Sequence, residues 1–169
     1  MDDLAATFDA HVRAEFQDLD LEATMSTMAE DPYVHHVPAI TGGNGTAGVR
    51  AFYGDHFIGQ WPDDTVTQRI SRTVGENQVV DEMMITFTHD RPLDIMLPGI
   101  PPTGRRISVP LVVVVGFKGG RVSHEHIYWD QATVLVQAGL LDPSGLPVAG
   151  PEQADALLDQ RRAKNELLG

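Results

Sequence analysis

The chain has no cysteine in its 169 residues, which excludes disulfides, thiol nucleophiles and thiolate-held metals. Cationic side chains are scarce. Twelve Lys and Arg stand against 24 Asp and Glu, a formal charge of −12, so the chain repels phosphate backbones and anionic lipid. Neither nucleic acid nor a membrane surface is an expected partner. No apolar run approaches the ~18 residues that span a bilayer, and the start, Met1-Asp2-Asp3-Leu4, lacks the apolar core of a secretion signal. The expected location is the cytoplasm. Also missing are a Gly-x-Ser-x-Gly elbow, a Walker phosphate loop and a Gly-x-Gly-x-x-Gly fingerprint. Their absence argues against an α/β-type serine hydrolase and a dinucleotide-binding unit. Apolar side chains are not scarce: at 42% of residues they exclude global disorder and suffice for the core of one domain.

Leu4, Phe8, Val12, Phe16, Leu19, Met25 and Met28 recur mostly at spacings of three and four, the period of an amphipathic helix. It is one helix, or two divided at Asp18-Leu19-Asp20. The pattern stops at Asp31-Pro32, where Pro removes a donor and restricts its predecessor. Tyr33 to Ile40 reads as a short strand and Gly42-Gly43-Asn44-Gly45 as a loop. Thr46 is placed to cap a helix through Val49, Phe52, Tyr53, His56 and Phe57. Strands are expected at about 65–75, 78–90, 105–118 and 121–130, the last two joined by the hairpin signal Lys118-Gly119-Gly120. Residues 131–140 read as a short helix, Asp142 to Gly150 as an arm, and Pro151 opens a last helix reaching about Leu168. Helices first and hairpin-linked strands afterwards predict an α+β fold with a mostly antiparallel sheet, its helices covering one face and leaving a pocket. The expected division is a domain over 1–141 and a C-terminal arm and helix over 142–169.

The densest polar cluster is Arg121 to Asp130. Strand side chains alternate, so His124, His126, Tyr128 and Asp130 share one face and Glu125, Ile127 and Trp129 the other. Either face brings ionisable groups to a pocket; the alternative is that the polar set meets solvent or a partner subunit. A two-histidine, one-carboxylate metal site is the other reading. Asp130 lies four residues past His126, roughly 13 Å along a strand, so His35 or His89 would have to complete such a site. In strand 78–90, Glu82 and Met84 share one face and Asp81 and His89 the other. If both faces are covered, a carboxylate enters an apolar setting, where its pKa rises and proton transfer becomes its natural chemistry.

Several segments resemble a known family. They are Gly48-Val49-Arg50-Ala51-Phe52-Tyr53, Phe87-Thr88-His89, the loop Leu97-Pro98-Gly99-Ile100-Pro101-Pro102-Thr103-Gly104-Arg105, and His124-Glu125-His126 leading to Gln137, Gly139 and Leu140. Together, over about residues 5–141, they resemble the SnoaL-like branch of the nuclear-transport-factor-two-like superfamily. The resemblance implies a cone-shaped α+β barrel, a curved sheet wrapped around helices with one deep pocket, usually dimeric. It also implies polyketide cyclase, dehydratase, isomerase or epoxide hydrolase chemistry without a cofactor, or ligand binding without turnover. The family's acid/base pattern, an Asp with a supporting His, falls best on Asp130 with His126 or His89, and Glu82 is the reserve carboxylate. His36, Phe57, Met84, Met96, Tyr128 and Trp129 are the expected substrate contacts. The expected ligand is a small, partly apolar carbonyl or enol compound, with no cofactor and no metal. Val112 to Val115 occupy both faces of one strand, which predicts a homodimer through the outer face of the sheet. The apolar loop Arg91–Gly104 is expected to cover the pocket mouth as a lid, or to pack on a partner.

Overall fold

The computed structural model describes residues 3–168. The N-terminal helix is divided where the aspartates stand. α1 (Leu4–Arg13) runs into a π-helical turn at Ala14–Asp18, and Leu19 then turns left-handed with φ of 49°. Asp20 caps α2 (Leu21–Ser26) by accepting from Ala23 N, as Asp3 caps α1 through Ala6 N. The helix ends well before Pro32. Thr27 Oγ1 donates back to Thr24 O, and Val122 N then donates to Thr27 O, so the chain is taken up by the sheet. Tertiary pairing overrides the helical spacing of Met25 and Met28.

Strand β1 (Met28–His36) contains Asp31-Pro32 at a bulge, with Asp31 at φ of 54°. Its hairpin partner β2 (Thr41–Asn44) forms where a loop was expected. A Cβ on Gly42 would sit 1.9 Å from Val34 O, and one on Gly43 2.4 Å from Gly48 O. The glycines therefore let β1, β2 and α3 (Gly45–Phe52) approach closely. α3 starts at Gly45 after Asn44 rather than at Thr46, and passes into a second π-helical turn, Tyr53–Phe57.

Strands β3 (Val66–Val74), β4 (Gln78–Thr88), β5 (Arg106–Lys118) and β6 (Arg121–Trp129) follow the sequence reading closely. The six strands lie in the order β2-β1-β6-β5-β4-β3, antiparallel throughout except for the parallel pair β1–β6. This is the expected α+β architecture: one mostly antiparallel curved sheet against the N-terminal helices. The core fills the space between its inner face and α1, α2 and α3.

Beyond the end of β6, α4 (Gln131–Gln137) takes its place beside β5. Gln137 accepts from Ser108 N at 2.8 Å and donates to Ser108 O at 3.0 Å, completing the bonds a strand would make. Gly139, at φ of 75°, ends the turn that follows. The arm joins this end through Thr133 Oγ1, which donates to Gly150 O. α5 (Glu152–Leu158) stops ten residues short of the expected end, because Asp159-Gln160-Arg161-Arg162 offers no apolar side chain to bury. No helix among the described residues is long and apolar enough to cross a membrane.

Candidate functional site

A cavity of about 70 Å³ lies between α1 and the inner face of the sheet. Its wall is almost entirely apolar. Phe8, Val12 and Phe16 come from the N-terminal helix, Phe57 and Trp61 from the second π-helical turn and the loop after it, and Met83, Ile85, Leu111, Val113, Ile127 and Trp129 from the sheet. The loop Arg91–Gly104 is a packed wall rather than a lid. Leu93, Ile95, Met96 and Leu97 are each at most 1% exposed, and Ile95 and Met96 line the cavity.

The polar groups in this wall are Glu15, His36, Tyr53, Thr67 and Glu125. Behind Glu15 and Glu125 stands His11, fully buried. Its Nδ1 lies 2.6 Å from Thr27 Oγ1. The Thr27 hydroxyl proton is already given to Thr24 O, so His11 Nδ1–H is the donor in that bond. The other ring nitrogen, Nε2, therefore faces the carboxylates: 2.7 Å from Glu125 Oε1 and 3.1 Å from Glu15 Oε1. Tyr53 OH lies 3.1 Å from that nitrogen and donates to Glu125 Oε1 at 3.1 Å.

The three ionisable groups settle one another's protonation. Burial alone would push His11 down, but the charges and hydrogen bonds of Glu15 and Glu125 hold it well above its ordinary value. Burial would likewise raise Glu125, but His11 and the Tyr53 hydroxyl keep it below the usual glutamate range. Glu15 goes the other way: burial raises it, His11 only partly offsets this, and the Glu125 charge adds to the rise. The cluster thus holds an imidazolium–carboxylate pair and one further carboxyl that retains its proton more readily. The same three side chains bring candidate ligand atoms within 4.8 Å of one another. A divalent cation could take the place of the protons there. At 2.7 Å the His11–Glu125 contact has the length of a charge-assisted hydrogen bond.

His36 is the remaining polar wall group. Burial pushes its imidazole down to about 4 against the pull of Glu125, so it is neutral at neutral pH, and its Nδ1 has no hydrogen-bond partner.

The residues singled out from the sequence are distributed differently. His36, Phe57, Met96 and Trp129 line the cavity. Asp130 does not. Its Oδ1 accepts from Ala132 N at 2.9 Å, capping α4, and its Oδ2 accepts from Gln153 Nε2 at 2.8 Å. His126 and Tyr128 are on the outer face, because Glu125, Ile127 and Trp129 take the inner one. There His126 Nε2 lies 3.0 Å from Tyr33 OH, and Tyr128 is 44% exposed. Asp130 and His126 therefore form no acid/base pair. Glu82 also points outward, accepting from Ser71 Oγ, and Met84 is buried on that face beneath Ser108 Oγ. The inward carboxylate of β4 is Asp81, which is spoken for by a two-pronged ion pair with Arg72 at 2.6 and 2.7 Å. His89 is buried at the base of the Arg91–Gly104 loop, where Nδ1 accepts from Thr103 N and its backbone bonds Arg105 O and Gly104 N. It fastens the loop.

His11, Glu15 and Tyr53 were missed, although the sequence carries their signal. His11 and Glu15 fall on the apolar stripe of Phe8, Val12 and Phe16, and a polar side chain in such a stripe is buried with partners. Alternation along the strand groups Glu125 with Ile127 and Trp129, but without its partners neither face is preferred.

A family model for the SnoaL-like domain matches residues 8–125. No curated protein matches the chain. Among solved structures, a candidate SnoaL-like polyketide cyclase from Jannaschia sp. CCS1 has a TM-score of 0.65 at 19% identity, covering 82% of this chain and 94% of that one. AclR, a candidate hydroxylase from Streptomyces galilaeus, gives 0.61 at 22% identity over 82% and 97%. A protein of ketosteroid isomerase-like fold from Catenulispora acidiphila, in complex with trimethylamine, gives 0.59 at 14% identity over 80% and 93%. At these identities the likeness to solved structures is one of fold. The matched segment runs from α1 into β6 and holds Glu15, Tyr53 and Glu125 as well as both π-helical turns, and on that match the chain belongs to the SnoaL-like domain family of nuclear-transport-factor-two-like proteins.

Proposed function

We propose that the chain is an acid/base enzyme of the isomerase, cyclase or dehydratase type, acting on a small, partly apolar carbonyl or enol compound held in the cavity. The observation that carries this reading is Glu15: a carboxyl with a raised pKa that opens on an apolar cavity and is backed by His11 and Glu125. A carboxyl so placed has its proton affinity moved toward neutrality, where general acid/base groups work best. Glu15 as carboxylate takes the proton from the carbon next to the substrate carbonyl. The electron pair of that C–H bond moves into the new C–C double bond, and the carbonyl π pair moves onto oxygen. Neutral His36, a polar group of the cavity wall, is the candidate partner for that oxygen. Glu15 then returns its proton to another carbon, or to a departing hydroxyl. His11 and Glu125 are positioning residues: His11 steadies both carboxylates without lining the cavity.

The trimethylamine bound to a neighbour of the same fold supports a small-molecule partner. The outer sheet face, where Val112 and Tyr128 remain exposed, supports a homodimer joined there.

The test is hydrogen–deuterium exchange of 2-tetralone in D₂O, followed by NMR. The protein should accelerate exchange at the carbons flanking the carbonyl, and Glu15→Gln should lower the acceleration about a hundredfold. Binding of 2-tetralone without exchange would instead make this a ligand-binding protein. Equal exchange by Glu15→Gln and the parent would remove Glu15 from the chemistry.

A further inference from the structure

The chain carries 12 Lys and Arg and 24 Asp and Glu, yet the middle of its outer sheet face is almost without charge. Three histidines take that place. Strand alternation and register put Tyr33 and His35 of β1 on this face beside His124, His126 and Tyr128 of β6. Their rings form one continuous row. Tyr33 stacks on His124 with centroids 5.1 Å apart and 7° between the planes, His124 lies 5.0 Å from His126, and His126 meets His35 edge-on at 6.4 Å. β5 adds only Val112, Val114 and Gly116 opposite β6. A Cβ on Gly116 would lie 2.0 Å from the His124 ring, so that glycine seats the imidazole. Glu82 of β4, bonded by Ser71 Oγ, is the one carboxylate in the middle of the face. The remaining charges stand at its margins. Arg106 pairs with Asp64 at 3.4 Å, Arg121 donates to Ser26 O beside Lys118 at the β5–β6 turn, and Glu30 and Asp31 sit at the β1 bulge. Glu125 is behind the row, on the inner face. Burial, and then the His126 charge, hold the His124 imidazole below its ordinary value against the pull of Glu125.

We propose that this face joins two copies of the chain in a pH-gated contact, closed while His35, His124 and His126 are neutral and loosened as they gain protons. The proposal rests on the sheet-face dimer above and not on the acid/base chemistry. Two observations favour a second copy as the occupant. Elsewhere two copies of a chain of net charge −12 repel one another, and this face offers the approach that avoids that repulsion. The face also carries a knob and a hollow side by side: Tyr128, 44% exposed, borders a hollow of about 230 Å³ lined by Glu82, Pro110 and Val112. A two-fold contact needs both on one surface, since each copy must offer what the other receives. β6 and β5 are the two middle strands of the sheet. A two-fold axis through the middle of the face therefore lays them against their own counterparts, and the histidine rows of both copies are taken from water. An imidazolium there loses hydration and meets further imidazoles, with one carboxylate per copy to offset three positive charges. Protonation thus favours the separated chains, in the pH range where histidine ordinarily changes charge.

Sedimentation velocity over a concentration series at pH 7.5 and at pH 5.5 tests this. The Kd of the dimer should rise about a hundredfold between the two, the effect of one imidazole in each copy that must be neutral to be buried. The rest of the chain works the other way. As pH falls the net charge moves from −12 toward zero and the copies repel one another less, so overall charge cannot produce the loosening. With His35→Gln, His124→Gln and His126→Gln combined, the Kd should be nearly equal at the two pH values. A second measurement needs no variant: calorimetric dilution of the parent at pH 6 in phosphate and in Bis-Tris. The difference in dilution heat should report uptake of at least about one proton per dimer separated. A monomer at pH 7.5 would remove the dimer and the proposal with it. A dimer equally tight or tighter at pH 5.5 would overturn the gate and leave the dimer standing. So would a loosening that survives the triple substitution, dilution heats independent of buffer, or loss of the far-ultraviolet circular dichroism spectrum at pH 5.5, which would make the loosening an unfolding.

Discussion

His36→Leu should change how the stability of this protein depends on pH. The imidazole is 4% exposed and sits among Phe52, Phe57 and Trp129, with ring centroids 5.4, 6.1 and 5.9 Å away. Burial pushes its pKa down to about 4, against an opposing pull from Glu125 and the Thr41 backbone and with a smaller push from His35. The unfolded chain takes up a proton at His36 near pH 6.5, whereas the folded chain does so only near 4. Above 6.5 both states hold the ring neutral and it contributes no pH dependence. Between 6.5 and 4 the unfolded state gains a proton that the folded state refuses, so folding is penalised as pH falls. At ~1.36 kcal/mol for each unit, the loss approaches about 3 kcal/mol by pH 4. His36→Leu removes this term while keeping an apolar side chain of similar size. Urea unfolding of both proteins at several pH values between 8 and 4 supplies the two profiles, and their difference isolates His36 from the other titrating groups. The difference should be flat above pH 7 and should shift by about 3 kcal/mol in favour of the variant by pH 4. A difference that stays flat over the whole range would refute the buried, neutral histidine. A shift of opposite sign would place a charged imidazolium in the cavity wall.

Two further outcomes follow from the outward-facing and capping residues. Asp130→Ala should cost about 1 kcal/mol in urea unfolding and Asp130→Asn almost nothing, since Asn caps nearly as well; loss of 2-tetralone exchange in Asp130→Asn would refute the capping role as its sole one. Light scattering at micromolar concentration should give twice the 18.4 kDa chain mass and Tyr128→Lys should give the single mass. A monomeric parent protein would count against the sheet-face dimer.

The long strands were legible because their apolar residues and turn signals are local: Gly75-Glu76-Asn77 and Lys118-Gly119-Gly120 separate the strands wherever the rest of the chain lies. The helix break at Leu19 was legible for the same reason, since an aspartate is a cap by its own short side chain. The end of the first helix and the start of β1 were not. Met28, Ala29 and Glu30 carry no strand signal of their own; Met28 enters the sheet because the parallel neighbour β6 pairs it with Val122, and the bulge that follows carries the chain on to Tyr33 and His124. The candidate site follows the same divide. Alternation along β6 established in the sequence that Glu125, Ile127 and Trp129 go one way and His124, His126 and Tyr128 the other. Which way is inward depends on where α1 lies. Packing α1 on the sheet brings His11 and Glu15 to Glu125, residues more than a hundred positions apart in the chain, and only that meeting gives Glu125 a buried cationic partner. Composition and periodicity therefore determined an acidic α+β chain with a covered sheet. The docking of one helix decided which face became the cavity, because a buried carboxylate is tolerated only where a partner for its charge arrives with it.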